Sequence, residues 1–238
     1  MDPQLKLPKK FRRRLRAIAR WLQGKGVLYT RDLYRPVEWH GSERCGWAIS
    51  PEGVTGDSIV YSLGIGDDVS FDLSLIERYG VRVYAFDPTP ETAEWIARQS
   101  LPGRFRYQPV AISDKDGTVD FFAPVPGSKC STLQARIPGQ TPSHRVAARR
   151  LRSVMRELGH DRIDILKMDI EGAEYDVLQD LLEERIPVRQ LLVEFHHRFP
   201  TIGARKTKEA VRLLRAHGFR ISWISATCNE YSFWNISN

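Results

Sequence analysis

From Ser58 onward, short apolar segments alternate with segments whose apolar residues recur at helical spacing. The segments "SIVYSLG", "VRVYAFD", "IDILKMD" and "RQLLVEF" have the composition of buried strands, and a predicted helix follows each of them. Repeated strand–helix units specify a parallel sheet, because parallel neighbours need a crossover connection that a helix supplies. We therefore predict an α/β fold in which helices cover both faces of a mostly parallel sheet.

Composition restricts the class of protein. The chain has 238 residues, 42% of them hydrophobic and 27% charged, as expected for one globular domain with a full core. Its three cysteines, Cys45, Cys130 and Cys228, match no zinc spacing and suit a reducing compartment. No apolar run has the length of a membrane span, and no apolar segment of a signal peptide follows the basic start. We expect a cytoplasmic protein that can also associate with a membrane.

The first 56 residues lack the strand–helix pattern of the rest, so we divide the chain into an N-terminal segment, 1–56, and an α/β domain, 57–238. "KKFRRRLRAIARWLQ" predicts a basic amphipathic helix, and the Gly-, Pro- and Trp-rich residues 24–56 predict an irregular lid. The helix has two interpretations. It packs on the domain with its basic face in solvent, or it attaches peripherally to an anionic membrane or to another acidic partner. Its predicted apolar face consists of Phe11, Leu15, Ile18, Ala19 and Leu22.

Several boundaries within the domain are also predicted. Ser70 and Thr89 are the expected N-caps of the first two helices, with Gly80 closing the first. "FRYQPVAIS" predicts a third strand and "GTVDFFA" an additional one. Residues 124–142 read as a loop, and "AARRLRSVMRELG" as a helix. The last two strands, "FRISWISA" and "EYSFWNI", predict an antiparallel pair.

A nucleotide-type site is predicted after the first two strands of the domain. Gly64 and Gly66 in "SLGIGDD" allow a tight turn and a close approach of the backbone to a ligand. Asp87 ends the second strand at the distance expected of an acid that binds ribose hydroxyls. A dinucleotide site would have a third glycine at Val69 and would place a helix N-terminus against phosphate. The acids at 67 and 68 repel phosphate and favour a ligand with a cationic end, such as S-adenosylmethionine, over NAD.

Three strings resemble the FkbM family of S-adenosylmethionine-dependent methyltransferases: "VAISDKDGTVDFF", "DILKMDIEGAEYDVL" and "LLVEFHHR". The resemblance covers Ser58 to Asn238. It implies the class I methyltransferase fold, a Rossmann-like three-layer sandwich whose seven-stranded, mostly parallel sheet has an antiparallel last strand. It also implies S-adenosylmethionine as the cofactor and methyl transfer, usually to a hydroxyl oxygen.

The resemblance assigns cofactor-binding residues. Ser62 stands where the family usually has an acid, so Asp67 or Asp68 is expected to replace that acid near the methionine end. Asp87 is carried over to the ribose. The remaining candidates are the glycines of the turn and the residues flanking adenine, which are Gly64, Gly66, Ile112, Ser113 and Asp114.

The acids and histidine at the ends of the fourth and fifth strands are the predicted reaction centre. In this fold Asp169 faces the transferable methyl, and alternation puts Glu194 and His196 on one side of the next strand. Three interpretations stay open. The three residues hold Mg²⁺ or Mn²⁺; or His196 takes the hydroxyl proton without a metal; or the acids are structural. Glu171 and Glu174 are expected in the first turn of the following helix, in structural roles.

The predicted function is O-methylation of a sugar, a glycan or a small natural product. The acceptor would enter beneath the N-terminal segment and the 124–142 loop. Two alternatives differ in class: a non-catalytic Rossmann-like module that binds RNA or a membrane surface through its basic helix, and an NAD-dependent oxidoreductase. The net charge of +7 allows an acidic partner, yet we expect no nucleic-acid partner. Nothing in the sequence specifies the oligomeric state.

Overall fold

The computed structural model describes residues 8–124, 131–133 and 135–237. Its helices are α1 (Lys9–Leu22), α2 (Ser70–Tyr79), α3 (Pro90–Ala97), α4 (Leu151–Leu158), α5 (Glu174–Glu183) and α6 (Gly203–Ala216). Its strands are β1 (Glu38–His40), β2 (Trp47–Ile49), β3 (Ile59–Leu63), β4 (Arg82–Phe86), β5 (Phe105–Gln108), β6 (Ala111–Ile112), β7 (Gly117–Phe121), β8 (His144–Arg149), β9 (Ile163–Met168), β10 (Val188–Glu194), β11 (Phe219–Ile224) and β12 (Glu230–Asn235).

The central sheet confirms the predicted fold class. Its seven strands lie in the order β11–β12–β10–β9–β3–β4–β5. The pairs β10–β9, β9–β3, β3–β4 and β4–β5 are parallel, and β12 runs antiparallel to both β10 and β11. The order reverses between β3 and β9, and in open α/β sheets ligands bind outside the strand ends at such a point.

Alternating residues of the central strands pack into separate cores on the two faces of the sheet. Tyr61 and Leu63 of β3 join the cluster formed with α4, α5 and α6, whereas Val60 joins the cluster formed with α2, α3 and β2. All six residues of β9 are buried, as expected for a strand covered on both faces. This packing holds the carboxyl ends of β3, β9 and β10 at one edge.

Two predictions about the middle of the chain were wrong. The predicted third strand breaks at Pro109, which has no N–H for a ladder bond, so only β5 joins the central sheet and β6 joins a second one. The predicted helix from Ala147 begins at Leu151 instead. The residues before it form β8, because their backbone pairs with β6 on one side and β7 on the other.

The helix starts also differ from prediction. Ser70 is the first residue of α2 rather than its cap, and Asp68 accepts a hydrogen bond from the Ser70 N–H. Thr89 precedes α3 as predicted but makes no capping bond, since Asp87 accepts the Thr89 N–H instead. Gly80 ends α2 in the left-handed conformation, as predicted, and Gly159 ends α4 in the same conformation.

The N-terminal helix is confirmed, but its predicted packing is inverted. Phe11, Leu15 and Leu22 are 51%, 44% and 73% exposed, and Ala17 is the buried residue of α1. The large residues Phe11, Leu15 and Leu22 of the predicted apolar face therefore point away from the domain, while Ile18 is half-buried. The lid predicted as irregular contains the short hairpin β1–β2, whose Trp47 is buried in the core. No helix in the described part of the chain has the length and apolarity needed to span a bilayer.

The two glycines of the first turn predict different stability effects. An added Cβ at Gly64 would overlap the carbonyl oxygen of Asp169, whereas one at Gly66 would meet no atom within 4 Å; both have positive φ, at 73° and 54°. We expect Gly64→Ala to lower the free energy of unfolding by about 3 kcal/mol or more, and Gly66→Ala by about 1 kcal/mol. Urea unfolding measures both. Equal losses would show that backbone conformation alone, and not the close approach, requires Gly64.

Candidate active site

The polar residues of the candidate site gather where β3, β9 and β10 end at one edge of the sheet. Residues 64–68 follow β3, residues 169–171 follow β9, and residues 194–196 end and follow β10. The parallel order β3–β9–β10 makes these three ends neighbours. The predicted cofactor turn and the predicted reaction centre therefore lie side by side.

The turn after β3 is tied directly to the end of β9. The Asp169 N–H donates to the carbonyl of Leu63 at 3.0 Å, and the Lys167 ammonium donates to the carbonyl of Gly64. Because a side chain at position 64 would overlap the Asp169 carbonyl, the two strand ends approach as closely as backbones can. Gly66, by contrast, borders open space, which leaves room for a ligand against the turn.

Asp87 organises this turn. One of its carboxylate oxygens accepts the N–H groups of Ile65 and Gly66, each at 3.0 Å, and the other accepts the Thr89 N–H at 2.9 Å. The side chain is only 5% exposed. Asp87 therefore fixes the shape of the Gly64–Gly66 turn, and its contact with ribose stays a prediction.

The two acids after the turn have different surroundings. Asp67 is exposed and pairs with Arg44 of the lid at 2.6 Å. Asp68 is largely buried and accepts the Ser42 hydroxyl at 2.8 Å in addition to the Ser70 N–H. These bonds attach the lid to the turn. Asp67, whose carboxylate is open to solvent, is the better placed of the two to meet a cationic ligand group.

Of the remaining cofactor candidates, Ser62, Ile112 and Ser113 are buried and Asp114 is exposed. Ser62 is fully buried within β3, so any ligand contact through it would be indirect. Ile112 and Ser113 are buried at the end of β6, and Asp114 is exposed and accepts the Ser113 hydroxyl at 2.9 Å. They lie on the second sheet, and their assignment to adenine stays a prediction.

The predicted reaction centre does converge on one point. The His196 Nε2 atom lies 3.7 Å from Asp169 Oδ1 and 4.0 Å from Glu194 Oε1. Glu171, expected within the next helix, lies before it with a left-handed φ of 53° and brings its carboxylate to 3.3 Å from the same nitrogen. Asp169, with 33% of its side chain exposed, is the most open of these four residues.

Glu174 orients His196 through contacts with its backbone N–H and its Nδ1 atom. Its side chain is fully buried, accepts the Gly172 N–H at 2.8 Å and the His196 N–H at 2.7 Å, and lies 3.3 Å from His196 Nδ1. An acceptor at Nδ1 keeps the proton on that atom and directs Nε2 towards Asp169. Glu174 thus has the structural role that was predicted for it.

Mutual charge interactions set the protonation of the site. Burial alone would lower the pKa of His196, but the carboxylates of Glu174, Glu194 and Asp169 outweigh it and raise that pKa to about 10. Burial, reinforced by the negative charge of Asp169, raises the pKa of Glu194 to about 8. Burial also raises the pKa of Asp169. The imidazole is therefore protonated in the free protein at neutral pH, which favours a carboxylate over His196 as the proton acceptor.

Two residues near the site, Arg136 and Asp72, were not predicted from the sequence. Arg136, from the predicted loop, is buried and pairs with Glu171 at 2.5 Å. Asp72 faces inward from α2, where burial raises its pKa to about 6 although the charge of Lys167 opposes this. An acid among the apolar residues of the "SFDLSLIERYG" helix was the available hint for Asp72. Arg136 had none, because loop position does not specify a neighbour.

The donor set allows the metal interpretation without requiring it. Ligand atoms of Asp169, Glu171 and His196 lie within 4.8 Å of one another, so Glu171 completes the tightest trio where Glu194 was predicted. Oxygen donors with one imidazole suit a hard divalent cation. However, Arg136 already neutralises Glu171, and a protonated His196 offers no lone pair at Nε2.

Comparison with known proteins gives a family match that covers most of the chain. The family model described as "Methyltransferase FkbM domain" matches residues 58–221. That range includes the Gly64–Gly66 turn, Asp87 and the whole cluster around His196.

Three named relatives differ in how much of each chain they share. The human protein named "Probable methyltransferase-like protein 24" is 33% identical over 144 residues, which are 59% of this chain and 33% of that protein. The chain thus spans about a third of its length. "31-O-demethyl-FK506 methyltransferase FkbM" of Streptomyces tacrolimicus is 26% identical over 79% of this chain and 81% of its own. "2-O-methyltransferase NoeI" of Sinorhizobium fredii is 27% identical over 57% of this chain and 70% of its own length.

The raised pKa values predict a stability that falls with pH. Glu194 and His196 both bind protons more strongly in the folded chain than in the unfolded one, so their contributions are lost as pH rises from about 5 to 10. We expect the free energy of unfolding, measured by urea denaturation in EDTA, to fall by about 3 kcal/mol between pH 6 and pH 9. Glu194→Gln should flatten the part below pH 8. An unchanged slope in that variant would contradict the assignment.

Proposed function

Because the chain belongs to the FkbM methyltransferase domain family, we propose that it transfers a methyl group from S-adenosylmethionine to a hydroxyl oxygen of a sugar, a glycan or a small natural product. The observation that carries the proposal is the convergence of Asp169, Glu194 and His196 beside the Gly64–Gly66 turn. The names of two relatives, from Streptomyces and Sinorhizobium, specify O-methylation of their own substrates. These names support oxygen as the accepting atom here.

The chemistry of the turn fits S-adenosylmethionine. The space beside Gly66 would admit the ligand against the backbone, and the exposed carboxylate of Asp67 would attract its cationic methionine end. Asp87 would hold the turn in shape and Asp169 would border the methyl group. When bound, this cofactor supplies an electrophilic methyl, so the protein has mainly to position the acceptor. Family membership and these acids favour the methyl donor over NAD.

We assign the proton of the acceptor hydroxyl to Asp169. Its carboxylate is partly open, its raised pKa makes it a stronger base than an ordinary aspartate, and it lies next to the imidazolium of His196. As the acceptor oxygen took up the methyl group, the sulfur–methyl bond would break and leave S-adenosylhomocysteine. The O–H proton would pass to Asp169, and His196 would stabilise negative charge on the oxygen. Glu174 keeps His196 protonated and oriented.

A divalent cation is a competing form of the same mechanism. Mg²⁺ or Mn²⁺ held by Asp169, Glu171 and His196 would lower the pKa of the acceptor hydroxyl directly. It would require Arg136 to leave Glu171 and His196 to lose its Nε2 proton. Our proposal needs neither change, and we therefore expect transfer without added metal.

The cofactor assignment is tested by calorimetric titration with S-adenosylhomocysteine in buffer containing EDTA, and then in magnesium. We expect a micromolar Kd in both, because none of the proposed cofactor contacts involves a metal. The variant Gly66→Val, which fills the open side of the turn, should bind at least about tenfold more weakly. An absence of binding in both buffers would refute the methyltransferase proposal and favour a non-catalytic binding module. Binding that requires magnesium would favour the cation mechanism.

A variant of Asp169 distinguishes cofactor binding from the methyl-transfer reaction. Asp169→Asn should retain S-adenosylhomocysteine affinity within about threefold, because its backbone bond to Leu63 remains, while losing a general base is expected to slow transfer about 100-fold or more. Transfer of labelled methyl to a panel of sugars and hydroxylated natural products measures the reaction. Asp161→Asn, an exposed carboxylate at the opposite end of β9, is the control. Full activity in Asp169→Asn would exclude Asp169 as the base.

A further inference from the structure

A large cleft lies beneath the N-terminal helix, beside the candidate site. Its volume is about 1450 Å³. α1 forms one wall, and the turn between β11 and β12 forms the other, with the lid hairpin between them. The cleft is larger than a typical pocket for a compact ligand, which suits an extended acceptor.

The wall formed by α1 is its basic face. Lys9, Arg13, Arg16 and Arg20, spaced at one face of a helix, line the cleft, while Phe11 and other apolar residues point outward. The helix is held this way round by the burial of Ala17 and by a hydrogen bond of 2.6 Å from the Arg14 guanidinium to the Cys228 sulfur. The chain therefore aims its arginines at the cleft although its apolar face is left exposed.

The arginines that α1 contributes to the cleft form no ion pair with a carboxylate of the described residues. Within the part of the chain that the structure describes, no carboxylate lies within 4.0 Å of Arg13, Arg16 or Arg20, whereas Arg44 across the cleft pairs with Asp67. Seven cationic side chains and two carboxylates line the space, which gives an excess of five positive charges (7 − 2). The seven are Lys9, Lys10, Arg13, Arg16, Arg20, Arg44 and Arg198, and the two carboxylates are Glu43 and Glu230.

The cleft lies next to the reaction centre, because its lining includes His197 and Arg198, which directly follow His196 in the chain. Arg198, in its lining, lies 4.0 Å from the Glu194 carboxylate, and Glu230 is the strand partner of Glu194 across β10 and β12. At the same end, Trp39 is half exposed and its ring lies 5.9 Å from that of Trp223, centre to centre. Exposed indole rings offer a flat apolar surface on which the face of a sugar ring packs.

We propose that the methyl acceptor is an anionic glycoconjugate, whose sulfate or phosphate groups bind the α1 arginines while its reactive hydroxyl reaches Asp169. This inference rests on the proposed function. Guanidinium groups bind sulfate and phosphate oxygens in pairs, and the helix offers several in a row. A chain of sugar rings extends from the arginines past the Trp39–Trp223 pair towards Glu194. Sulfated and phosphorylated acceptors share this chemistry, and the probes below distinguish them.

Binding of defined oligosaccharides tests the proposal. A sulfated tetrasaccharide, a phosphorylated tetrasaccharide and the uncharged tetrasaccharide are titrated into the full chain in 150 mM NaCl. We expect at least one charged probe to bind at least tenfold more tightly than the uncharged one. Arg16→Gln/Arg20→Gln should remove most of that difference. Arg12→Gln/Arg212→Gln changes the net charge equally at exposed positions outside the cleft, and should keep it.

Three results would overturn the inference. Equal binding of charged and uncharged probes would exclude anion recognition, and equal losses in the two double variants would show non-specific attraction. Tighter binding of single-stranded RNA or of vesicles containing phosphatidylserine, lost in the cleft variant alone, would reassign the cleft to a macromolecular partner. S-adenosylhomocysteine titration of the same variants separates the two proposals. If the wild-type chain does not bind S-adenosylhomocysteine, the methyltransferase function is refuted. If it binds S-adenosylhomocysteine but does not prefer the charged probes, only the acceptor class is refuted.

Discussion

The close approach of the β3 and β9 ends, at Gly64 and Asp169, is the constraint on which the rest of the site depends. The absence of a side chain at Gly64 lets the carbonyl of Asp169 lie against the turn, and the ammonium of Lys167 bonds to the Gly64 carbonyl. The turn that would receive the cofactor and the carboxylate that would take the proton thus share one backbone junction. A shift of either strand end would move both, so binding and reaction are positioned together.

Around that junction, carboxylates outnumber the cations that face them. This excess of negative charge raises the pKa values of the acids and of His196. Four acids surround His196, which stays protonated, and Arg136 closes the outer side of Glu171. The cost of burying these charges appears as raised pKa values rather than as a balanced set of ion pairs. Such displacement of pKa from ordinary values is typical of reaction centres, where a base must hold a proton more strongly than it would in water.

The alternation of apolar segments with amphipathic helices predicted the parallel sheet, because few other folds bury such strands on both faces. It also brought Asp169, Glu194 and His196 to neighbouring strand ends, since strand order determines that adjacency. The predictions failed where tertiary pairing decides: β8 was read as helix because its arginines carry no strand signal, and its strand conformation depends on pairing with β6 and β7. Arg136 could not be predicted, because a loop residue reaches its partner through a path that periodicity does not encode.

The orientation of α1 is the clearest case in which composition and packing disagree. An amphipathic sequence pattern indicates that a helix has two faces, but not which of them meets the domain. Here the interior that α1 covers is a polar cleft beside the acids of the reaction centre, and one basic face of the helix, with Arg13, Arg16 and Arg20, lines that cleft. The apolar residues that remain outside are the cost of that arrangement. A helix that covers an acidic site with positive charge would bring the proposed anionic acceptor to carboxylates that would otherwise repel it.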